Sequence, residues 1–256
     1  MEPLADQVAI VTGAGAGIGR EVALQLARDG CNLGLFDINE RAMLETADEV
    51  RRLGRKAVIA VGNVARRADV VLATQLFANE FDSIDILVNN AGILRTCKFL
   101  DLTENDWREC FAVNLDGVFF FCQAILAGMV ERRSGNIVNI SSWTGKKGVA
   151  NHAAYGATKA AILNLTQSLA EEFGPFGIRV NAVCPGIIID TNMRTQAEVL
   201  NRAQGLPDVA SRAKSLPLGR PGYPREIAEV VAFLASARAG YMTGQAVNVT
   251  GGLWMN

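Results

Sequence analysis

The 256-residue sequence predicts a doubly wound α/β fold, with a seven-stranded parallel sheet flanked by helices. Short β-rich apolar runs alternate with longer amphipathic stretches from residue 7 to about residue 185. The runs are continuously apolar rather than alternating, as strands buried on both faces are. No Pro/Gly/Ser-rich linker, internal repeat or low-complexity tract breaks the succession, so 1–256 reads as one domain.

The elements follow in order. QVAIVT (7–12) is the first strand, and in residues 18–29 Ile18, Val22, Leu26 and Ala27 fall near a 3.6-residue period, which predicts the first helix. Further strands are NLGLFD (32–37), KAVIAVG (56–62), IDILVN (84–89), GNIVNIS (135–141), IRVNAVC (178–184) and QAVNVT (245–250). Long apolar helices are expected around 107–130 and 153–173. The connection from Gly186 to Arg225 carries Pro207, Pro217, Pro221 and Pro224 and exceeds the usual loop length. Long connections in compact domains often serve as lids or binding loops, so substrate selection is expected there; the alternative is a helical excursion that only covers core.

Composition excludes several function classes. Twenty-five basic and 26 acidic residues leave a net charge of −1 with no block of one sign, so nucleic acid is not an expected partner. The five cysteines (Cys31, Cys97, Cys110, Cys122, Cys184) are odd in number, scattered and without a C-x-x-C pair. Neither a disulfide framework nor a metal site is expected, and the cysteines read as small hydrophobes in a reducing compartment. The N-terminus enters an apolar strand without a basic region, long apolar run or cleavage site, and no 18-residue uninterrupted apolar stretch occurs. A cytoplasmic, non-membrane protein is expected.

Chemistry concentrates in two places. The first strand runs into TGAGAGIGR, where Gly13, Gly15, Gly17 and Gly19 open a helix. Glycines permit a tight turn and close approach of a ligand, and the helix N-terminus offers unpaired N–H groups to a pyrophosphate. Asp37 ends the next strand, placed to accept from a ribose 2′-hydroxyl and to repel a 2′-phosphate. No arginine occupies 14–16, so NAD is expected over NADP, with Arg41 the one nearby cation that bears on it. The second place is NHAAYGATKAAILN (151–164), where Tyr155 and Lys159 rise from one helix face a turn apart. A phenol near pKa 10 is a poor base at neutral pH, and a neighbouring ammonium is the expected means of lowering it; about three units corresponds to about 4 kcal/mol.

Taken together, Thr12-Gly13-x-x-x-Gly17-x-Gly19, Asn89-Asn90-Ala91-Gly92, Asn114 in FAVNLDGV, Ser142 in NISSWTG, Tyr155-x-x-x-Lys159, Asn181 with Pro185-Gly186, and the terminal TGQAVNVTGG resemble the short-chain dehydrogenase/reductase family over nearly the whole chain. The resemblance implies a Rossmann-type dinucleotide fold. It makes Tyr155 the general acid/base, Lys159 its pKa-setting partner and a ligand of the nicotinamide ribose, Ser142 a hydrogen-bonding partner of the substrate oxygen, and Asn114 the holder of a relay water. It further implies cofactor contacts from Gly13, Gly17, Ile18, Gly19, Asp37, Asn63, Val64, Asn90, Ala91 and Gly92. Pro185, Gly186 and Ile187 are implied in the same way, besides Tyr155 and Lys159. Strand alternation favours Ser142 over Ser141. Two departures stand out: PGIIIDTNM is one residue longer than the usual spacing, which puts Thr191 in doubt, and Asn63 replaces the common aspartate while keeping an acceptor oxygen.

A Ser142–His152 hydrolase is disfavoured because no G-x-S-x-G elbow surrounds the serine. His152 either lines the cleft or lies in a solvated loop, and Trp143 either walls the pocket or packs in the core. The expected activity is NAD-dependent hydride transfer to or from a secondary alcohol or ketone, with a polyol or diol dehydrogenase the nearest in appearance. A 3-oxoacyl-[acyl-carrier-protein] reductase is the alternative, and a catalytically silent nucleotide-binding sensor or scaffold the non-enzyme one. The resemblance also implies a homo-oligomer, tetramer or dimer.

Overall fold

In the computed structural model, which describes residues 3–203, 205 and 207–256, seven parallel strands form one sheet in the order β3-β2-β1-β4-β5-β6-β7. The strands are β1 (Val8–Thr12), β2 (Asn32–Asp37), β3 (Ala57–Val61), β4 (Ile86–Asn89), β5 (Gly135–Ile140), β6 (Ile178–Pro185) and β7 (Ala246–Val249). All seven coincide with the runs read from sequence. In β1 every residue is buried, and Ile10 pairs with Gly34 on one side and Leu87 on the other. A central strand of that kind has no solvated face, hence its unbroken VAIVT.

Helices cover both faces. On one side α1 (Gly17–Arg28), α2 (Glu40–Arg52) and α9 (Pro224–Ala235) enclose Leu26, Leu33, Leu35, Met43, Val231 and Leu234. On the other, α3 (Arg67–Glu80), α5 (Gly117–Arg132) and α6 (Ala153–Phe173) enclose Phe36, Phe77, Leu87, Phe121, Met129 and Ile137. Each such fully buried side chain contributes roughly 1.5–3 kcal/mol. The Phe36–Phe121 edge contact, 5.1 Å between centroids at 74°, adds roughly 0.5–1.5 kcal/mol.

The expected continuous helix over 107–130 is interrupted. It comprises α4 (Glu104–Phe111), a π-helical turn (Ala112–Asp116) and α5. The interruption coincides with a long-range contact: Asn114, fully buried, turns its amide inward to Ile93, with Nδ2 donating to the carbonyl at 3.0 Å and Oδ1 accepting from the N–H at 2.8 Å. Such a turn re-aims a side chain by widening the helix. The stretch Glu104–Arg132 is long and apolar enough by composition to cross a membrane, and here one side of it packs into the sheet.

The strand order reverses between β1 and β4. Their successors leave in opposite directions, which opens a crevice at the carboxyl ends of the strands. Over it lies the 186–225 connection, which forms α7 (Asn192–Ala203) and α8 (Val209–Ala213) and is tied down by a parallel bridge between Ile188 and Gly222. The expected substrate loop also contains Gln204 and Leu206, which lie outside the described residues.

Candidate active site

The nucleotide end is built on the turn after β1. Gly13 and Gly17 adopt φ of +65° and +55°, in the left-handed region that favours glycine. A Cβ on Gly19 would overlap the Gly13 carbonyl oxygen and the Asn90 amide. Helix α1 then starts with no side-chain cap and no acid in its first turn, so its N-terminal N–H groups face the crevice without a competing anion. Asp37 closes the far side: Oδ2 accepts from Gly15 N and Oδ1 from Asn39 N, both at 2.9 Å. Arg41 points away, exposed and paired with Glu45 at 3.4 Å. These residues fit a nicotinamide dinucleotide, with the turn and helix end toward the pyrophosphate and Asp37 toward the ribose.

Several residues implied as cofactor contacts are also bonded into the scaffold. Asn90 Nδ2 donates to the carbonyls of Thr12 and Gly13, at 2.9 and 3.2 Å, which ties β4 to the turn. Thr12 Oγ1 accepts from the N–H groups of Asn90 and Ala91. Val64 is buried in the core against Gly117. The Asn63 amide oxygen accepts from Ala65 N at 2.9 Å in a local turn, with room for one further donor. At the other end Ile188, not Ile187, joins Pro185 and Gly186 in the cleft wall, because the Ile187 carbonyl accepts from Gly222 N and holds that residue in the connection's frame. Thr191 does line the cleft, against Gly17, in spite of the lengthened spacing.

Ser142, Tyr155 and Lys159 converge on one cavity of about 250 Å³ that also receives Ile18, Asn90 and Gly92. Ser141 Oγ donates to the Lys159 carbonyl at 2.8 Å and is thereby committed; Ser142 Oγ accepts from Thr144 N and Thr144 Oγ1, which leaves its own proton for the cleft it shares with Tyr155. Asn114 Nδ2 also donates to Thr158 Oγ1 at 3.1 Å, and Thr158 Oγ1 donates to the Tyr155 carbonyl at 2.8 Å. Its side-chain amide is taken up by protein partners and fixes the Gly92–Ile93 loop and the first turns of α6.

The expected electrostatics of the pair need correcting. Lys159 Nζ sits 5.6 Å from the centre of the Tyr155 ring but donates to the Ile140 carbonyl at 2.8 Å. Burial pushes the phenol up to about 12, partly offset by hydrogen bonding with Ser142, and pushes the Lys159 ammonium down to about 8. A buried site disfavours both charges, and an ammonium turned to a backbone carbonyl offers the phenolate little. In this conformation Tyr155 is protonated at neutral pH and can donate to an oxygen in the cleft.

His152 and Trp143 both line the cleft. The imidazole meets the Tyr155 ring edge-on at 6.3 Å and 78°. Burial, with Arg194 and Arg212, holds its pKa below the usual value, so it is neutral at pH 7. Asn151, with φ of +66°, forms the turn that starts this wall. Sequence reasoning missed Thr96, Ile188, Arg194 and Arg212, all in the same wall. Arginines at positions 194 and 212 carry no motif, and only the fold of the connection brings them to the cleft. Among the described residues no cluster of His, Cys, Asp or Glu could hold a metal, and burial keeps Cys31 and Cys122 protonated, at about 12 each.

The enoyl-(acyl carrier protein) reductase family model matches residues 13–254, and the 3-oxoacyl-[acyl-carrier-protein] reductase of Chlamydia muridarum is 38% identical over 253 residues, 98% of each chain. The chain belongs to the short-chain dehydrogenase/reductase family. Its fold is shared with an NAD⁺-bound xylitol dehydrogenase (TM-score 0.92, 33% identity, 97% of this chain and 99% of that one). It is also shared with a 3-oxoacyl-[acyl-carrier protein] reductase with bound NAD from Brucella melitensis (TM-score 0.88, 34% identity, 100% and 94%). The protein is an oxidoreductase of this family, and the seven-stranded sheet with its switch-point cleft is the family's fold.

Proposed function

We propose that the protein is an NAD-dependent ketoreductase that reduces the ketone of a 3-oxoacyl compound to the secondary alcohol and runs the reverse reaction on the product. The observation that carries this reading is the phenol of Tyr155, buried, protonated at neutral pH and facing one cleft with Ser142 and Lys159. The bound dinucleotide supplies or accepts the hydride. The Ser142 hydroxyl and the Tyr155 phenol donate to the carbonyl oxygen, and as charge builds there the phenol gives up its proton, because an alkoxide is the stronger base. Lys159, beside the ring, steadies the phenolate left behind once its ammonium turns from Ile140. Asn114 acts by position.

Relatives named as 3-oxoacyl-[acyl-carrier-protein] reductases support the substrate class, and they favour it over the polyol or diol expected from sequence. The polyol reading stays second, supported by the likeness to xylitol dehydrogenase. NAD is proposed because the Asp37 carboxylate, pinned by Gly15 and Asn39, fixes a negative charge where a 2′-phosphate would come. The test follows NADH and NADPH absorbance with acetoacetate derivatives, and NADH formation from NAD and xylitol. Faster reduction of the oxoacyl compounds with NADH is expected; polyol oxidation as the dominant activity would contradict the reading. We also propose a homo-oligomer in which the apolar groove between α5 and α6, lined by Phe119, Leu126, Val130, Leu165 and Phe173, is covered by a second copy, testable by light scattering.

A further inference from the structure

The charge of the cleft wall exceeds what hydride transfer needs. Among the described residues that line it, three are cationic, Lys159, Arg194 and Arg212, and none is acidic. Lys159 belongs to the proton chemistry. Arg194 and Arg212 come from α7 and α8, and their side chains are only 22% and 29% exposed.

Behind them stands one carboxylate. Glu198 Oε1 lies 3.5 Å from Arg194 Nη1 and is bonded by Arg212 Nη2, while Glu198 Oε2 accepts from Val209 N at 3.0 Å. The other side-chain contacts of the two arginines, Arg194 Nε to the Ile188 carbonyl and Arg212 Nε to the Asp208 carbonyl, are long at 3.4 Å each. Among the described contacts the two guanidiniums share one acid, which leaves the cleft wall with a net positive charge. A second observation points the same way: His152 Nδ1 and Thr96 Oγ1, in the same wall, are buried without a hydrogen-bond partner. Partly desolvated cations and orphaned polar atoms cost free energy unless a ligand meets them.

We propose that the cleft takes a free oxo acid or hydroxy acid, its carboxylate seated on Arg194 and Arg212, with Thr96 and His152 as polar neighbours. This rests on the ketoreductase reading and narrows it from 3-oxoacyl compounds in general to the uncarried acid. The reaction balances as oxo acid plus NADH plus a proton giving hydroxy acid plus NAD⁺. Hydride forms the new C–H bond at the ketone carbon, the carbonyl π pair becomes the O–H bond with the Tyr155 proton, and solvent reprotonates Tyr155. The carboxylate takes no part beyond binding. A carrier thioester lacks this charge near the reacting carbon, and the phosphate of its pantetheine arm stands at the far end of a long chain.

The experiment measures NADH-dependent reduction of acetoacetate, neutral acetoacetamide, the acetoacetyl thioesters of N-acetylcysteamine and of phosphopantetheine, and the homologous 2- and 4-oxo acids. Wild type is compared with Arg212→Gln, Arg194→Gln and the charge-keeping Arg212→Lys, with NADH affinity and circular dichroism for each. An oxo acid should exceed its amide by at least ~30-fold in kcat/KM, and each glutamine variant should lose at least ~10-fold on the acid and under ~2-fold on the amide. NADH affinity should hold, and Arg212→Lys should recover part of the loss. Equal use of acid and amide overturns the proposal, as does an equal loss on both in the variants. A loss of NADH affinity would assign the arginines to the pyrophosphate, and a preference for the phosphopantetheine thioester that depends on them would assign them to its phosphate; either overturns it. If no compound is reduced while NADH binds, the ketoreductase reading falls. Calorimetric binding of acetoacetate to the NADH complex of Tyr155→Phe, with and without Arg212→Gln, then decides the carboxylate site alone: Arg212-dependent binding supports it and its absence overturns it.

Discussion

The two ends of the cleft are held together by different means. At the nucleotide end, the partners are main-chain groups: the Asn90 amide and the Thr12 hydroxyl bond the backbone of the turn and of the residues after β4, and the space left admits no Cβ at Gly19. At the substrate end, side chains meet side chains: Arg194, Glu198 and Arg212 hold one another across two short helices. Backbone constraints tolerate few residues, so the first end can be read from sequence and should fail as a unit. Side-chain constraints tolerate exchange, so the second end can change its substrate without changing the fold.

The harshest test of that contrast is Gly19→Ala. With the new Cβ overlapping a backbone carbonyl, NADH affinity should fall by more than ~100-fold, or the chain should fail to fold, as fluorescence titration and circular dichroism would show. A tolerated alanine would mean that the turn has slack this account denies it. Next comes Asn114→Ala, which strands the Ile93 N–H and carbonyl in a half-buried loop; a loss of about 1–3 kcal/mol in denaturant unfolding is expected. Loss of turnover without loss of stability would instead make Asn114 part of the chemistry.

Smaller still is the effect of Lys159→Met on stability against pH. The folded Lys159 pKa, about 8, lies below its unfolded value, so between about 8 and 10.5 the unfolded chain binds more protons and wild-type stability rises with pH. The variant lacks that rise, and its advantage over wild type at pH 7, at most on the order of 3 kcal/mol, should shrink toward pH 10.5. The Tyr155 pKa, raised to about 12, acts in the opposite sense: its contribution is present below the unfolded value near 10 and is lost as pH rises to about 12. Parallel curves for wild type and variant would contradict the desolvated lysine.

The strands were legible because burial on both faces leaves an unmistakable run such as VAIVT, and the Ser142, Tyr155 and Lys159 cleft was legible because fixed spacing on a strand end and a helix leaves little freedom. Three things were not. The π turn at Asn114 depends on a partner, Ile93, 21 residues away. The direction of the Tyr155 shift depends on how deeply it is buried and on where the lysine's ammonium points, which spacing does not encode. Arg194 and Arg212 carried no sequence signal, since only the fold of the 186–225 connection turns them inward.

The central claim is that Tyr155 delivers the proton, and single-turnover mixing of the enzyme–NADH complex with an oxoacyl substrate tests it most directly. Tyr155→Phe should bind NADH as wild type does and show no hydride transfer, a loss of at least ~10³-fold in the first turnover. Hydride transfer at the wild-type rate in that variant would contradict the account.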